Sequence, residues 1–311
     1  MKKIFIITGP TGAGKTPLAV EVAKRINGEI ISADSCQIYK RLDIGTAKPA
    51  PALLSSIKHY LVNFLEPVLS YSVFQFVSDC KTAVEEIEGK GKIPIVVGGS
   101  IFYLKVLYDG IAEGIPQEEG IHEKIQNLRE KEGLEYLYQE LKKVDPSVAE
   151  KIKPQDTQRI SRALEVYYGT GRKLSDWWRE GNHQGILRGK IGFCLTLPRS
   201  ELYGRINRRV EQMIAAGWVD EVRGLLNEKK AGEWAAFNAV GYREIIDYLK
   251  GHNDLPHTIE AIQKRTRHYA KRQLTFLRRI KDLEWLDIYQ LGFEETVNAV
   301  SKRILSESQS L

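Results

Sequence analysis

The eight residues Gly9-Pro10-Thr11-Gly12-Ala13-Gly14-Lys15-Thr16 constrain this chain more than any other segment. They match G-x-x-x-x-G-K-[ST], a loop whose backbone N–H groups cradle a di- or triphosphate. The context fits. Lys3–Thr8 reads as a buried strand, and Pro17–Lys24 reads as the first turns of a helix. The glycines let N–H groups face an anion, and the helix N-terminus adds partial positive charge. Lys15 adds a full charge, and the Thr16 hydroxyl can hold Mg²⁺. Pro17 suits the first helical turn, which has no N–H bond to lose. A glycine-rich turn without a ligand is the plain alternative.

The rest of the chain extends this beginning into a parallel α/β sheet. Glu29–Asp34 reads as a second strand that delivers Asp34 at its C-terminal end. A helix is expected from Ser72 to Glu88, with Val73, Phe76, Val77, Cys80, Ala83, Val84 and Ile87 on one face. Ile93–Gly98 reads as a third strand, closed by Gly98-Gly99-Ser100. Strands alternating with helices mean parallel pairing. Ligands of such sheets gather at the C-terminal strand ends, where the loop, Asp34 and Ser100 fall. From about Ile121 to Trp178 the pattern is helical throughout, with a break at Gly133 and helix starts at Asp145-Pro146 and Asp156. Ile160 and Leu164 point inward there, while Arg159 and Arg162 share another face. Ile191–Leu197 reads as a returning strand, followed by helices carrying Arg205, Arg208 and Arg209. The expected organisation is a P-loop NTPase-like core from residues 1–115 and 185–311, interrupted by an all-helical insertion at 116–184.

Composition excludes several classes. The chain has 311 residues, 42% hydrophobic and 28% charged, which is ordinary for a soluble globular protein. Its longest apolar run, near Ile93–Val97, is strand-sized, so no transmembrane helix is expected. Met1-Lys2-Lys3 mimics a secretion signal, but the apolar part ends after about five residues in the phosphate loop, so the N-terminus is structural. Three scattered cysteines, Cys36, Cys80 and Cys194, argue for a reducing cytoplasm. No Cys/His spacing suggests zinc. The net charge of +6 is concentrated between Lys264 and Lys281, where Lys264, Arg265, Arg267, Lys271, Arg272, Arg278, Arg279 and Lys281 occur without an acid. Such a block suits a polyanion, although a solvated helix face is the plain alternative.

A second segment discriminates among phosphate-loop proteins. Asp34–Pro49 resembles the D-S-x-Q-x-Y-[KR]-x-[LM]-D-I-G-T-A-K-P element of the tRNA dimethylallyltransferases, also called tRNA isopentenyltransferases. Gly9–Thr16 is similar to that family's G-P-T-x-x-G-K-T, and Val96–Ser100 to its V-G-G-T/S. Asp156–Val166 is similar to its D-x-x-R-x-x-R-A-L-E-V, Val240–Glu244 to its V-G-Y-R/K-E, and Thr266–Arg278 to its T-R-x-Y-A-K-R-Q-x-T-W-x-R. The resemblance covers nearly the whole chain. It implies transfer of the isoprenoid of dimethylallyl diphosphate to N6 of adenine at position 37, in the anticodon stem-loop of tRNAs reading codons that begin with U. It further implies a cytoplasmic enzyme, and the chain's end near Leu311 without a zinc finger places the resemblance with the bacterial form. We expect a monomer.

The resemblance also implies roles. Gly9, Pro10, Thr11, Gly12, Ala13, Gly14, Lys15 and Thr16 would hold the diphosphate, with Mg²⁺ on Thr16. Adenine N6 is a poor nucleophile that needs a proton acceptor, and Asp34 is the candidate base. Thr11 and Arg209 would join Lys15 in stabilising the leaving diphosphate. Contacts to tRNA are implied for Asp34, Ser35, Cys36, Gln37, Ser100, Gln158, Arg159, Ile160, Ser161 and Arg162. They are also implied for Asn238, Ala239, Val240, Gly241, Tyr242, Arg243, Arg267, Lys271 and Arg278. The target base must leave its stack. Asp34 has the alternative role of an indirect Mg²⁺ ligand, and Arg209 that of a tRNA backbone contact. The sequence departs from the pattern at Gly12-Ala13, Ser100 and Phe276, and across Pro116–His122, where His122 stands in place of a tRNA-contacting arginine. The competing readings are a free-adenylate isopentenyltransferase and a small-molecule kinase that would place ATP in the loop. Against the kinase, Ile93–Val97 does not end in an aspartate.

Overall fold

Runs of apolar residues without alternation need cover on both faces. In the computed structural model, which describes residues 3–110, 115, 120–180, 189–228 and 234–308, such runs form the centre of one sheet. Its strands are Ile4–Thr8 (β1), Gly28–Ala33 (β2), His59–Tyr60 (β3), Ile93–Gly98 (β4), Lys190–Thr196 (β5) and Leu283–Asp287 (β6). Their spatial order is β3-β2-β4-β1-β5-β6, and every pairing is parallel. β1 and β2 are buried at every position. Two strands carry no clear signal in the sequence. β3 has only two residues, and β6 exposes its middle residues at the sheet edge.

The chain separates into two compact units, Met1–Tyr108 with Leu187–Leu311, and Asp109–Ile186. In the first, Lys15–Ile26 (α1) packs Leu18, Val22 and Ile26 into a core shared with β1, β4 and β5. Pro51–Ser56 (α2) precedes β3. Val73–Gly89 (α3) starts where Ser72 and Gln75 form a reciprocal capping box. Its Phe76 stacks on Tyr103 of Ile101–Asp109 (α4), centroids 3.9 Å apart.

The second unit is all-helical. It comprises Ile121–Val144 (α5), Pro146–Ala149 (α6), Thr157–Thr170 (α7) and Leu174–Glu180 (α8). Gly133 breaks α5 with a φ of 86°. Ile125, Leu137, Leu141, Ile160 and Leu164 form a core of its own. Asp145 ties that core to backbone, accepting from Val148 N–H at 3.3 Å and from Ser175 N–H at 2.8 Å.

Back in the first unit, Arg199–Ala215 (α9), Trp218–Leu226 (α10), Tyr242–Leu249 (α11) and Leu255–Leu277 (α12) follow β5. α10 and α11 close a second core around Trp218, Phe237, Tyr242, Ile38 and Leu42. After β6, Ile288–Leu291 (α13) leads into Phe293–Ser308 (α14), whose Val297, Val300 and Ile304 join the core that α1 enters. Among the described residues no helix is long and apolar enough to cross a membrane.

Candidate active site

The phosphate loop leaves the end of β1 and turns directly into α1. Gly9 has a φ of 144°, and a Cβ there would lie 2.6 Å from the Leu195 carbonyl oxygen of β5, so only glycine fits. α1 has no side-chain cap at its N-cap, Gly14, and no acid in its first turn. A helix end left in this state presents free N–H groups and partial positive charge.

Lys15 opens this helix, and Arg209 lies within electrostatic reach of it. The Lys15 ammonium donates to the Pro10 carbonyl at 2.9 Å. Burial lowers its pKa to about 8; Asp34 opposes the shift and Arg209 adds to it. Arg209, on α9, is likewise lowered by burial, opposed by Asp34. Its guanidinium makes no hydrogen bond or ion pair among the described residues. Two half-buried cations within electrostatic reach of each other and of one carboxylate, Asp34, leave positive charge unbalanced, which an anion would compensate.

Asp34 follows β2. Its Oδ1 accepts from Cys36 N–H at 2.9 Å and Gln37 N–H at 3.3 Å, a turn that fixes the carboxylate's orientation. Ser100, two residues after β4, accepts Ser35 N–H on its hydroxyl at 2.9 Å. Burial pushes the Cys36 and Cys194 thiols up to about 12, so neither is a thiolate near neutral pH. Thus the strand ends bring together the loop, Asp34, Ser35, Cys36, Ser100 and Arg209.

The segment after Asp34 is held by groups that carried no local signal in the sequence. Glu221 of α10 accepts N–H groups of Asp43 at 2.8 Å, Ile44 at 2.7 Å and Gly45 at 3.3 Å, and also the Tyr242 hydroxyl at 2.8 Å. Gln37 donates to the carbonyls of Thr46 and Ala47, and Lys48 donates to Tyr39 O at 2.6 Å. The Trp218 ring lies against both Gly45 and Gly241, where a Cβ would come within 2.1 Å and 2.0 Å of it.

Two expected tRNA-binding positions need correction. Tyr242 is fully buried, so its side chain serves Glu221 and not a ligand. Ile160 is fully buried in the core of the helical unit, because the helix that presents Gln158 and Arg159 turns this position inward. Beside Tyr242 in sequence, Asn238 and Arg243 are exposed, and Ala239 and Val240 are half-buried. In the helical unit Arg159 pairs with Asp156 at 3.1 Å and Ser161 is half-buried. Arg162 pairs with Glu165 at 3.4 Å, and His122 bonds the same carboxylate at 2.7 Å and Gln126 at 2.8 Å. His122 is therefore already engaged. Pro116–Glu119 lie outside the described residues.

The basic block is α12 and its end. It is less free than an acid-free run suggests, because Arg265 pairs with Glu244 of α11 at 2.6 Å and Arg267 donates to Asn207 at 2.7 Å. Lys271, Arg272, Arg278 and Arg279 remain exposed. The opposite face of α12 is buried through Ala270, Gln273 and Leu277. Gln273 accepts Thr11 N–H at 2.8 Å and donates to Gly99 O at 2.7 Å.

A parallel sheet with a glycine loop between its central strand and an uncapped helix defines the P-loop class of phosphate-binding proteins. Residues 37–280 match the family described as IPP transferase. A tRNA dimethylallyltransferase of Geobacillus kaustophilus is 39% identical over 310 residues, covering 99% of this chain and 98% of its own. The crystal structure of a full-length tRNA isopentenylpyrophosphate transferase from Bacillus halodurans superposes with a TM-score of 0.70 at 32% identity, covering 99% of both chains. A eukaryotic dimethylallyltransferase captured acting on tRNA gives a TM-score of 0.84 at 29% identity, covering 98% of this chain and 80% of its own. The chain belongs to the IPP transferase family.

Proposed function

We propose that this protein is a tRNA dimethylallyltransferase. It moves the dimethylallyl group of dimethylallyl diphosphate to N6 of adenine 37 in tRNAs reading codons that begin with U, acting as a cytoplasmic monomer. The observation that carries the reading is the pair of half-buried cations, Lys15 and Arg209, in electrostatic reach of Asp34 at an uncapped helix end. Their unbalanced charge suits diphosphate, and the carboxylate suits a nucleophile that must lose a proton.

The chemistry follows from those positions. The bond between the first carbon of the isoprenoid and its bridging oxygen breaks, and the electron pair leaves with diphosphate. Lys15, Arg209, Thr11 and the N–H groups at the start of α1 stabilise that charge as it develops. N6 bonds to the carbon and passes its proton to Asp34. The Asp34 oxygen held by Cys36 and Gln37 N–H groups fixes the direction of the acceptor. A divalent cation fits this site in one way. No cluster of three His, Cys, Asp or Glu side chains is present among the described residues, but Mg²⁺ uses few protein ligands beside phosphate oxygens and water. Thr16, which lines a small cavity with Ser32 and Gln37, would hold it through its hydroxyl. When bound, the ion would add positive charge against the leaving diphosphate. Ser35, Cys36, Gln37, Ser100, Asn238–Val240, Gly241 and Arg243 would meet tRNA, as would Gln158, Arg159, Ser161 and Arg162 of the helical unit.

The deciding experiment incubates the protein and Mg²⁺ with labelled dimethylallyl diphosphate and either tRNA or AMP. Label on tRNA is the expected result. Label on AMP would favour a free-adenylate transferase, and phosphoryl transfer from ATP to a small acceptor would favour a kinase.

Two further outcomes are expected. Diphosphate bound beside Lys15 holds the ammonium charged, so binding at about pH 8.5 takes up a proton that the free protein has largely released. Calorimetry with inorganic diphosphate in two buffers of different ionisation heat should show this uptake reduced in Lys15→Met. Equal uptake by both proteins would remove Lys15 from the site. On α12, Lys271→Gln with Arg278→Gln should flatten the log–log salt dependence of tRNA affinity by roughly 0.7–0.9 for each phosphate no longer neutralised. An unchanged slope would make this face a solvated surface only.

A further inference from the structure

Gln273 stands apart from the basic face of the helix that carries it. Its side chain is 3% exposed, and a buried amide must have both its ends satisfied. The partners fix its orientation, because Thr11 N–H can only donate and Gly99 O can only accept. The amide therefore ties the phosphate loop to the residue that follows β4. A Cβ on Gly99 would lie 2.5 Å from Gln273 Nε2, so the bridge requires glycine there. Among the described residues, this is the one side-chain hydrogen bond that reaches a backbone N–H of Gly9–Thr16 from outside the segment. It takes the Thr11 N–H and leaves the N–H groups of the first turn of α1 for a ligand.

One turn earlier on the same helix, the Tyr269 side chain lies beside Ser100, whose oxygen accepts Ser35 N–H next to Asp34. Positions i and i+4 share a helix face. The inner face of α12 thus touches the donor loop through Gln273 and the turn beside Asp34 through Tyr269. Its outer side projects Lys271 and Arg272. The Gln273–Thr11 hydrogen bond is a direct link between α12 and the Thr11 backbone.

We propose that Gln273 is a positioning residue that couples the two substrates: RNA held on the outer face of α12 and diphosphate held in Gly9–Thr16 tighten each other's binding through the Gln273–Thr11 hydrogen bond. This rests on the preceding reading of the loop as a diphosphate site and of α12 as an RNA surface. Coupling of this kind is reciprocal, so the factor by which RNA improves diphosphate affinity equals the factor by which diphosphate improves RNA affinity.

The test measures four dissociation constants on the full chain: inorganic diphosphate with Mg²⁺, alone and with saturating anticodon stem-loop RNA, and the RNA with and without diphosphate. The wild type should show one shared coupling factor, in the range of about 5- to 150-fold. Gln273→Met keeps the length and volume of the side chain and removes both hydrogen bonds. Its coupling factor should fall towards one, while its affinity for RNA alone stays at the wild-type value. Tyr269→Phe, which removes only the hydroxyl on the Ser100 side, should keep the coupling. If Gln273→Met does not fold by thermal unfolding, the isosteric Gln273→Glu replaces it. Glu retains the acceptor for Thr11 N–H but sets a carboxylate against the Gly99 carbonyl, so its coupling should also be reduced. A full coupling factor in the folded Gln273 variant would overturn the proposal, and so would a wild type that binds both ligands independently. In that second case the proposed function stands, since both binary complexes form. If neither ligand binds, the proposed function fails and this inference falls with it.

Discussion

Asp34→Asn slows the transfer step by about 10²- to 10⁴-fold, the range for loss of a general base, and leaves tRNA affinity nearly unchanged. Asparagine isolates the chemistry better than alanine does. Its side-chain carbonyl still accepts the Cys36 and Gln37 N–H groups, so the turn after β2 survives. What it cannot do is take a proton from N6. Single-turnover prenylation of tRNA is the appropriate measurement, because multiple turnover also reports product release. A second readout follows from electrostatics. Asp34 supports the charged form of Lys15, so in Asp34→Asn the pH dependence of diphosphate binding should begin at lower pH. Near-normal single-turnover rates would leave Asp34 without the role of base.

Lys15→Met makes the unliganded protein more stable and the enzyme inactive. The ammonium has a pKa of about 8 in the folded chain, below the ordinary 10.5, so folding disfavours its charge. The cost is fully present below pH 8, shrinks as pH rises from 8 to 10.5, and is absent above that. A displacement of this size corresponds to roughly 3 kcal/mol. Losing the bond to Pro10 O takes back about 1 kcal/mol, so a net gain on the order of 2 kcal/mol is expected at about pH 7. Denaturant unfolding at about pH 7 and again at about pH 10.5 should show the gap between variant and wild type closing. Lys15→Met should also lose most of the thermal stabilisation that diphosphate gives the wild type. A variant less stable than wild type at neutral pH would show that the buried ammonium is compensated by the protein itself.

The parts of the site that were legible in the sequence are those formed by short, local segments. Gly9–Thr16 with its flanking strand and helix, Asp34 at a strand end and Ser100 after Gly98-Gly99 all lie at the C-terminal end of the parallel sheet. The all-helical character of the stretch containing Gly133, Asp145 and Asp156 was equally readable, because helical spacing and cap residues are local signals. The illegible parts depend on distant pairings. Glu221 reaches Gly45 across 176 positions, and Gln273 reaches Thr11 across 262. A glutamate or glutamine on an amphipathic helix looks like ordinary surface until its partner is known. Tyr242 and Ile160 fail as motif-implied tRNA contacts for a related reason, since a motif names a stretch of backbone while burial sorts its side chains one by one; helical spacing alone already turned Ile160 inward. β6, with Glu284 and Trp285 exposed, lacks the continuous apolar run that marked the inner strands.

The Trp218 ring, pressed between Gly45 and Gly241, has a mechanical consequence. The segment after Asp34 and the segment before α11 share one wedge, and Glu221 and Tyr242 lock them on the same side. Neither can be reshaped alone, since even a methyl group on either glycine would displace the ring that seats the other. A surface built this way arrives at an encounter already ordered, so little of the free energy of association is consumed in arranging the protein. If tRNA meets this surface as proposed, the deformation falls to the nucleic acid, and bases that unstack easily would be favoured.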